Sequence, residues 1–306
     1  MLLLAQIDAR SARVGYASAI LCAVLVGSIS TVSKPVLSNT NPLVYAALVY
    51  LLAALASAPL SYKTSGFQVR RGDWPLILAI TLLGSIVAPV LFFTGLEQTT
   101  ASDTAILSNS ETIFTVLFAL IFFKEKLRSR GYLAVILVIA GMVIVTTNLQ
   151  FTDFLSDIKK EGNLLIILSM AAWALDNNIS KIATQHVDIS RLVQLKGFIG
   201  GGLLLVFALA TKISVGITPV EIPNLLLVGM VGFGLSLYLF LNSLKKIGTV
   251  KTMLIYSTGT VFGMLFAFTF LHEKIGWYQI VAIAFMLTGI YIATKESSSV
   301  EMIHQN

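Results

Sequence analysis

Ten apolar runs, each of about the 20 residues that a helix needs to cross a bilayer, constrain this chain more than any other feature. In lipid every backbone N–H and C=O group needs a partner within the protein, and an α-helix supplies these partners within one segment. The sequence therefore predicts an all-α integral membrane protein with ten transmembrane helices. We place the runs at residues 14–33, 42–62, 74–96, 102–123, 131–147, 162–183, 190–210, 223–244, 252–271 and 277–294.

The composition excludes an ordinary soluble domain. Of the 306 residues, 56% are hydrophobic and only 12% are charged, whereas soluble domains are about 25% charged. The formal net charge of +6 would suggest a nucleic-acid partner in a soluble protein. Here the basic residues lie mostly between apolar runs, so we expect a lipid bilayer and no nucleic acid as partner.

Lys and Arg residues accumulate in alternate connections between the runs, and this bias predicts the orientation. Most of them, Lys196 included, fall on one side, whereas the other side has only Lys34, Lys159, Lys160, Lys212 and Lys274. Basic loops stay in the cytoplasm. We therefore expect a multi-pass protein of the cell (inner) membrane with both termini cytoplasmic.

The chain also repeats itself. Residues 114–126 and 262–274 share the pattern FxxLFAxxFxxEK, and the surrounding residues 84–145 align with 232–293 without a gap. Five runs in each copy are an odd number, so the second copy enters the membrane from the opposite side. Inverted repeats are a common plan of secondary transporters, whose cargo binds near the bilayer centre.

This repeat divides the chain into four parts. We expect a first five-span repeat at 1–147, a connecting loop or interfacial helix at 148–161, a second five-span repeat at 162–295 and a cytoplasmic tail at 296–306.

The sequence resembles the EamA-like exporters of the drug/metabolite transporter superfamily. The resemblance is carried by LFALIFFKEKL at 117–127 and LFAFTFLHEKI at 265–275, each an aromatic-rich helix ending near a Glu. It implies ten spans in two inverted halves and the export of small metabolites, often amino acids or related compounds. Such exporters often have a Pro early in the fourth and ninth spans, where this chain has Ser110-Glu111-Thr112 and Thr258-Gly259-Thr260. The resemblance therefore specifies the fold better than the substrate.

Glu111 is the sharpest candidate for a substrate-binding residue. It lies about ten residues into the fourth run, so roughly 15 Å deep, and ionisable residues at such depth mark functional sites by default. It could carry a proton or bind a substrate amine; the alternative is a structural hydrogen bond to a neighbouring helix. Ser108 and Thr112 share its neighbourhood, although such hydroxyls often bond their own backbone.

The sixth run contains the densest group of polar residues in any run. Trp173 and Asp176 are candidates for a substrate site, with Trp173 as an apolar or cation-binding wall. Asn177 belongs to the same set, and Lys181 lies either in the site or at the membrane interface. Lys34 is the repeat equivalent of Lys181, and this pair could gate the two mouths or attract anions; the alternative is that each stem reaches the headgroups.

The positions of six further residues in the sequence predict their roles. Tyr256 and Thr258 of the ninth run match Ser108 and Ser110 in the repeat, and Tyr238 and Asn242 are four residues apart in the eighth run, where both could face the cavity. These four complete the candidate substrate-binding set. Glu125 and Glu273 lie at run ends, where a carboxylate can accept backbone N–H groups at the start of the next helix. We expect these two to be structural.

The chain lacks sequence motifs of catalysis. It has no GxxxxGK[ST] loop for ATP, no HExxH metal motif and no GxSxG nucleophile, so we expect no enzyme, no cofactor and no metal site.

The expected function is a secondary transporter that exports a small metabolite by alternating access, with protons as a candidate coupling ion. The alternatives are an exchanger of anionic or phosphorylated metabolites, and a non-transporting scaffold or a channel. A monomer and a homodimer both remain open.

Overall fold

The computed structural model describes residues 2–62, 69–123, 129–147, 161–183, 187–247, 252 and 255–304, and within these ranges it contains helices and no β-strand. Five stretches are long and apolar enough by themselves to cross a bilayer: Ala12–Leu37, Pro42–Pro59, Arg71–Gln98, Ser190–Ala210 and Ile222–Phe240. Three shorter apolar helices are Arg130–Val145, Ile255–Leu271 and Trp277–Ile292. The remaining two long helical stretches, 101–123 and 161–183, contain the polar residues singled out above.

We number the ten helical crossings as spans. They are Leu2–Leu37 (span 1), Pro42–Tyr62 (span 2), Trp74–Thr81 with Leu82–Val87 and Ala88–Gln98 (span 3), Ala101–Leu107 with Ser110–Phe123 (span 4), Ser129–Thr147 (span 5), Glu161–Ala183 (span 6), Ile189–Ala210 (span 7), Ile222–Leu226 with Leu227–Leu235 and Ser236–Ile247 (span 8), Gly259–Leu271 with a helical turn at 255–257 (span 9) and Trp277–His304 (span 10). Spans 1 and 10 are longer than the apolar runs. Span 10 continues as helix through most of the expected tail, and residues 148–160 of the expected connection lie outside the described ranges.

Two pairs of local irregularities fall at equivalent positions of the two repeats. Leu82–Val87 in span 3 and Leu227–Leu235 in span 8 are π-helical. Span 4 is interrupted between Leu107 and Ser110, and span 9 has a turn at Thr258. Wide π turns inside membrane helices often accompany functional sites, and interrupted spans are typical of the binding sites of transporters.

The interruption of span 4 has a local cause in its polar side chains. The hydroxyl groups of Ser108 and Ser110 donate to the carbonyl oxygens of Thr104 and Leu107. In a regular helix these carbonyl oxygens accept only backbone N–H groups. A Ser hydroxyl that donates to them competes with those N–H groups. The backbone here forms hydrogen bonds between residues three positions apart instead of four, such as the 3.2 Å bond from Glu111 N–H to Ser108 O.

The spans pack in an exchanged pattern between the repeats. Span 1 packs against spans 8 and 9, and span 6 packs against the equivalent spans 3 and 4. Spans 2 and 7, spans 4 and 9, and spans 5 and 10 pack against one another. Exchanging the two repeats leaves this set of contacts unchanged, which is the pattern of a two-fold relation between them.

Small residues allow the closest of these contacts. A Cβ atom added to Gly27 of span 1 would lie 2.5 Å from the carbonyl oxygen of Gly259 in span 9. One added to Gly201 of span 7 would lie 2.8 Å from the carbonyl oxygen of Ala47 in span 2. Glycine is therefore needed for these backbones to approach, as in the small-residue contacts of other membrane helices.

The two membrane ends of the bundle are distinguishable. One end, named here the Lys34 end, brings together residues 34–41, 96–103, 161–163, 218–221 and 272–279 through hydrogen bonds between spans. The opposite end, named the Phe123 end, contains the far termini of the same spans, including Phe123 and Ala183. The connection at 272–276 and the start of span 5 therefore lie at opposite ends, as inverted repeats require.

Candidate functional site

A cluster of charged and amide side chains lies where the two repeats meet. The Asn177 amide of span 6 donates to Glu111 Oε1 of span 4 over 2.7 Å, so a residue of one repeat bonds to a residue of the other. Beside them, Asp176 of span 6 forms an ion pair with Lys196 of span 7. Asp176 also accepts a hydrogen bond from the Ser180 hydroxyl at 3.1 Å. We call Glu111, Asp176, Asn177, Ser180 and Lys196 the central cluster.

The central cluster lies deep in the bundle. Glu111 is ten residues from the start of span 4 at Ala101, a rise of about 15 Å, which places it near the middle of the membrane. Asp176 is seven residues before Ala183 and Lys196 is seven residues after Ile189, so both lie roughly 10 Å from the Phe123 end. The cluster therefore occupies the centre and the half of the membrane on the Phe123 side.

Aromatic side chains form a wall beside the central cluster. The Trp173 indole N–H lies 3.0 Å from the carbonyl oxygen of Gly84 and 3.2 Å from the Tyr50 hydroxyl oxygen. Tyr50 itself donates to the same carbonyl at 2.7 Å. The rings of Phe92 and Phe233 lie 5.3 and 6.4 Å from that of Trp173, so this wall combines side chains of both repeats.

The free carbonyl of Gly84 follows from the sequence of span 3. In the π-helical turn the Ala88 N–H bonds to Leu83 O, five residues back. The next such partner, for Gly84 O, would be residue 89, which is a proline and has no N–H. The carbonyl of Gly84 is therefore left for Tyr50 and Trp173. A Pro within span 3 was the sequence signal for this acceptor.

Gly84 also makes room for the ion pair. A Cβ atom at position 84 would overlap the carboxyl group of Asp176. The missing side chain thus lets Asp176 press against span 3 while it reaches Lys196 of span 7 and Ser180.

The members of the central cluster differ in exposure. The Asp176 side chain is 4% exposed and that of Lys196 is 17% exposed, Glu111 is half-buried and Asn177 is exposed. Charged and amide groups at this depth are costly against lipid. Since the Glu111–Asn177 bond joins span 4 to span 6, these groups face the interior between the repeats.

Lys34 has a different environment from the central cluster. Its ammonium group donates to the carbonyl oxygens of Leu96, Glu97 and Thr99, at 2.6, 2.8 and 2.6 Å. The last carbonyls of a helix have no partner within it, and a cation is favourable there. Lys34 therefore caps the C-terminal end of span 3. The side chain of its repeat equivalent, Lys181, lies outside the part of the chain that the structure describes.

Glu273 accepts backbone N–H groups, but those of a different helix from the one expected. Its carboxylate bonds to the N–H groups of Ala101 and Ser102, at 2.8 and 3.0 Å, at the start of span 4. The sequence predicts that the N–H donors come from the next helix, span 10. Packing of span 9 on span 4 brings the two together, which the order of the sequence does not reveal. Glu125 lies outside the described ranges.

Further hydrogen bonds close the Lys34 end. Gln279 of span 10 donates to Asp103 of span 4 over 2.6 Å. Asn39, after span 1, donates over 3.1 Å to Glu221 at the start of span 8. The Thr218 N–H and the Asn39 amide, both donating to the Glu221 carboxylate, hold its pKa below the ordinary value. Several spans of both repeats are thus joined at this end.

The other candidate residues lie apart from the central cluster or bond locally. The hydroxyl groups of Ser108 and Thr258 donate to carbonyl oxygens of their own spans. Asn242 donates to the Ser18 hydroxyl of span 1 at 2.8 Å. Thr112 is half-buried one residue after Glu111.

The two tyrosines of spans 8 and 9 have opposite surroundings. Tyr256 is half-buried, and its ring packs 5.2 Å from that of Phe240. Tyr238, expected to face the site, is instead 44% exposed and shares an outward face with the exposed Leu235. Phe233 and Phe240 occupy the inward face of span 8, so the register of the helix turns Tyr238 away.

Three residues of this region were not anticipated: Lys196, Tyr50 and Gly84. Lys196 was counted with the basic loops, but it lies within span 7 and pairs with Asp176. Its signal was its position seven residues inside an apolar helix. Tyr50 offers no such signal, because a tyrosine within an apolar run is usually part of the core.

Comparison with known proteins agrees with the architecture. An uncharacterised transporter of Methanothermobacter thermautotrophicus is 28% identical over 292 residues, 91% of this chain and 85% of its own length. The uncharacterised transporter YcxC of Bacillus subtilis is 25% identical over 291 residues, 90% of this chain and 91% of its own. A WAT1-related protein of Arabidopsis thaliana is 24% identical over 240 residues, 69% of this chain and 66% of its own.

A crystal structure of another protein shares the fold. It covers 96% of this chain and 99% of its own, with a TM-score of 0.68 and 17% sequence identity. The sequence model of the EamA-like transporter family matches twice, at residues 13–147 and 160–295. These matches cover most of the chain, one in each repeat. With its helical spans and paired repeats, this chain is a membrane transporter protein that belongs to the EamA-like transporter family.

Proposed function

We propose that this protein is a secondary transporter that carries a small polar metabolite through the central cluster by alternating access. The observation that carries this proposal is the hydrogen bond between Glu111 of the first repeat and Asn177 of the second. A group that binds cargo between two moving halves must be built from both of them. Such sites lie near the bilayer centre in transporters with inverted repeats.

The asymmetry between the two ends supports alternating access. Among the residues that the structure describes, hydrogen bonds between spans join the Lys34 end, and the central cluster, with its exposed Asn177, lies toward the Phe123 end. In an inverted repeat each half can adopt the conformation of the other. Exchanging these conformations would release the Lys34 end and close the Phe123 end.

The direction we propose is export. The basic bias of the loops assigns the Phe123 end to the cytoplasm. In the arrangement described, the central cluster would then be reached from the cytoplasm, where an exported metabolite is collected. An amino acid-like cargo is consistent with this site. Glu111 would hold the amine of the cargo, and the aromatic wall around Trp173 would lie beside its apolar side chain.

Proton coupling would act through Glu111. Its carboxyl group accepts a hydrogen bond from Asn177, which is adjacent in span 6 to Asp176, the partner of Lys196. A carboxyl group so placed could exchange a proton for a cationic group of the cargo, because both compete for the same oxygens.

The experiment is transport by purified protein in liposomes, with the Glu111→Gln variant beside the wild type. An amide cannot titrate, so transport by the variant should lose its dependence on pH, while a group that transfers protons gives the wild type a pH-dependent rate. Glu97→Gln is the matched control, because Glu97 is exposed and outside the cluster. An unchanged pH profile in a folded Glu111→Gln protein would refute the proton role.

The same assay separates the other classes of function. Saturable counterflow of a labelled metabolite supports a carrier, whereas linear, ohmic flux indicates a channel and no flux for any compound indicates a scaffold. Exchange of phosphorylated metabolites through Lys34 has less support, since the Lys34 ammonium group already donates to three carbonyl oxygens.

A further inference from the structure

We propose that Lys196 is a specificity-determining residue that holds an anionic group of the cargo, in particular a carboxylate. This inference rests on the proposed function, because it assigns a task to a residue within the same site.

The position of Lys196 is the first support. It lies inside span 7, roughly 10 Å from the helix start at Ile189, and its neighbours Gly197 and Gly200 pack closely against spans 2 and 3. A cation inside the membrane is costly and is kept where it pairs or functions. The ion pair with Asp176 offsets the free-energy cost of burying the ammonium group. A buried ion pair adds little net stability, so stability alone does not explain this lysine.

Unused hydrogen-bonding capacity is the second support. A lysine ammonium group has three N–H donors, and among the described side chains and backbone groups only Asp176 accepts from Lys196. The partner is held more firmly, since Asp176 also accepts from Ser180 and lies against Gly84. Lys196 is thus the accessible member of the pair, at 17% exposed against 4%, and two of its donors remain for a ligand.

The opposite repeat supplies the complementary group. Glu111 uses its Oε1 atom for Asn177, which directly follows Asp176, the partner of Lys196, in span 6. The interior therefore offers a cation on span 7 and a carboxyl group on span 4, with the exposed Asn177 between the repeats. In this arrangement Asp176 serves as the internal counter-ion of Lys196 until an anionic group of the cargo joins it.

A purely structural ion pair makes a different prediction from an anchoring lysine. If the pair only ties span 6 to span 7, Asp176→Asn and Lys196→Gln should impair the protein alike. If Lys196 anchors the cargo, Asp176→Asn removes the negative charge that competes for the Lys196 ammonium group and should tighten anion binding, whereas Lys196→Gln should weaken it.

The test measures binding by thermal shift and counterflow with matched trios of compounds. Leucine, 4-methylpentanoate and 3-methylbutylamine form one trio, which shares a carbon skeleton and differs only in its charged groups; phenylalanine, 3-phenylpropionate and phenethylamine form another. We expect wild-type ligands to carry the carboxylate. Lys196→Gln should weaken their binding by roughly tenfold to a hundredfold, as expected for a lost charged hydrogen bond, whereas Lys196→Arg should retain most of it.

The remaining outcomes of this test contradict either the role of Lys196 alone or the proposed function as well. Equal binding of carboxylate-bearing ligands by wild type and a folded Lys196→Gln protein overturns the inference alone, as do ligands that are all amines. Equal losses in Asp176→Asn and Lys196→Gln, restored by exchanging the two residues, assign the pair a structural role. If no compound is bound or transported by the wild type, the proposed function fails together with the inference.

Discussion

Gly84 shows how closely the single residues of the site depend on one another. Its carbonyl accepts hydrogen bonds from Tyr50 and Trp173, and the space over its Cα atom holds the carboxyl group of Asp176. Gly84→Ala should therefore displace Asp176 from Lys196 and lower the free energy of unfolding by about 1–3 kcal/mol, the usual cost of overpacking. Thermal unfolding in detergent and counterflow in liposomes would measure the two effects.

Gly202→Ala is the control for that change. Gly202 lies in span 7, and apart from its chain neighbours and the nearby backbone of its own helix, a Cβ atom there would have no heavy atom within 4 Å. The control should unfold and transport like the wild type. A Gly84→Ala protein with wild-type transport would show that Asp176 can move without consequence, and the position assigned to the ion pair would then be unimportant for function.

For single residues, the sequence predicts which polar side chains belong to the site better than it predicts which residues they contact. Glu111, Asp176 and Asn177 were recognisable because polar groups are expensive inside apolar spans, and the structure brings them together. Lys196 is harder to recognise, because a lysine seven residues from the start of span 7 can equally be assigned to the basic loop that precedes the span. The outward face of Tyr238 depends on the turn of span 8 relative to its neighbours, which a single apolar run does not specify.

At the scale of helices, apolar runs predict where the spans lie but not how regular they are. A π turn changes the hydrogen-bond pattern without changing hydropathy, so Leu82–Val87 and Leu227–Leu235 leave no periodic signal. The interruption after Leu107 directly precedes the Ser110-Glu111-Thr112 stretch, where the resemblance to EamA-like exporters implies a Pro. Polar side chains that bond to the backbone interrupt the helix here in place of a proline.

Lys34 caps span 3 across the first repeat, and this contact can be tested directly. Lys34→Met keeps the length and the apolar stem of the side chain but leaves three carbonyl oxygens without their donor. Hydrogen bonds to charged groups contribute about 1.5–3 kcal/mol, and partial exposure of Lys34 reduces this. We expect a loss of about 1–2 kcal/mol, measured as a lower melting temperature in detergent.

Glu97→Gln separates the cap from a surface ion pair. Lys34 bonds to the backbone oxygen of Glu97, which the substitution retains, so its melting temperature should stay close to that of the wild type. A loss in Glu97→Gln as large as that in Lys34→Met would instead attribute the effect to the side-chain charges.

At the scale of the whole molecule, the repeat was visible in the sequence because both copies retain the FxxLFAxxFxxEK pattern. Its inversion followed from an odd number of spans in each copy. The partners of each span did not follow, because apolar surfaces resemble one another and carry little pairing information. The packing of span 1 on spans 8 and 9, and of span 6 on spans 3 and 4, appears only in three dimensions.

The arrangement predicts which single cysteines share a membrane face. In a Cys22→Ala background, which removes the one native thiol, Ser214→Cys and Lys274→Cys should react with an impermeant maleimide from one side. Gly72→Cys and Arg130→Cys should react from the other, and all four positions are exposed. Labelling of intact cells and of inverted vesicles would assign each side.

The decisive comparison in that experiment is between Arg130→Cys and Lys274→Cys. These positions follow the equivalent fourth and ninth spans, so inversion places them on opposite faces. Equal labelling from one side would mean that the second repeat is not inverted, and the cluster built from Glu111 and Asn177 would lose its basis. With the Arg130 side in the cytoplasm, as the basic loops indicate, Arg130→Cys should label only in inverted vesicles and Lys274→Cys only in intact cells.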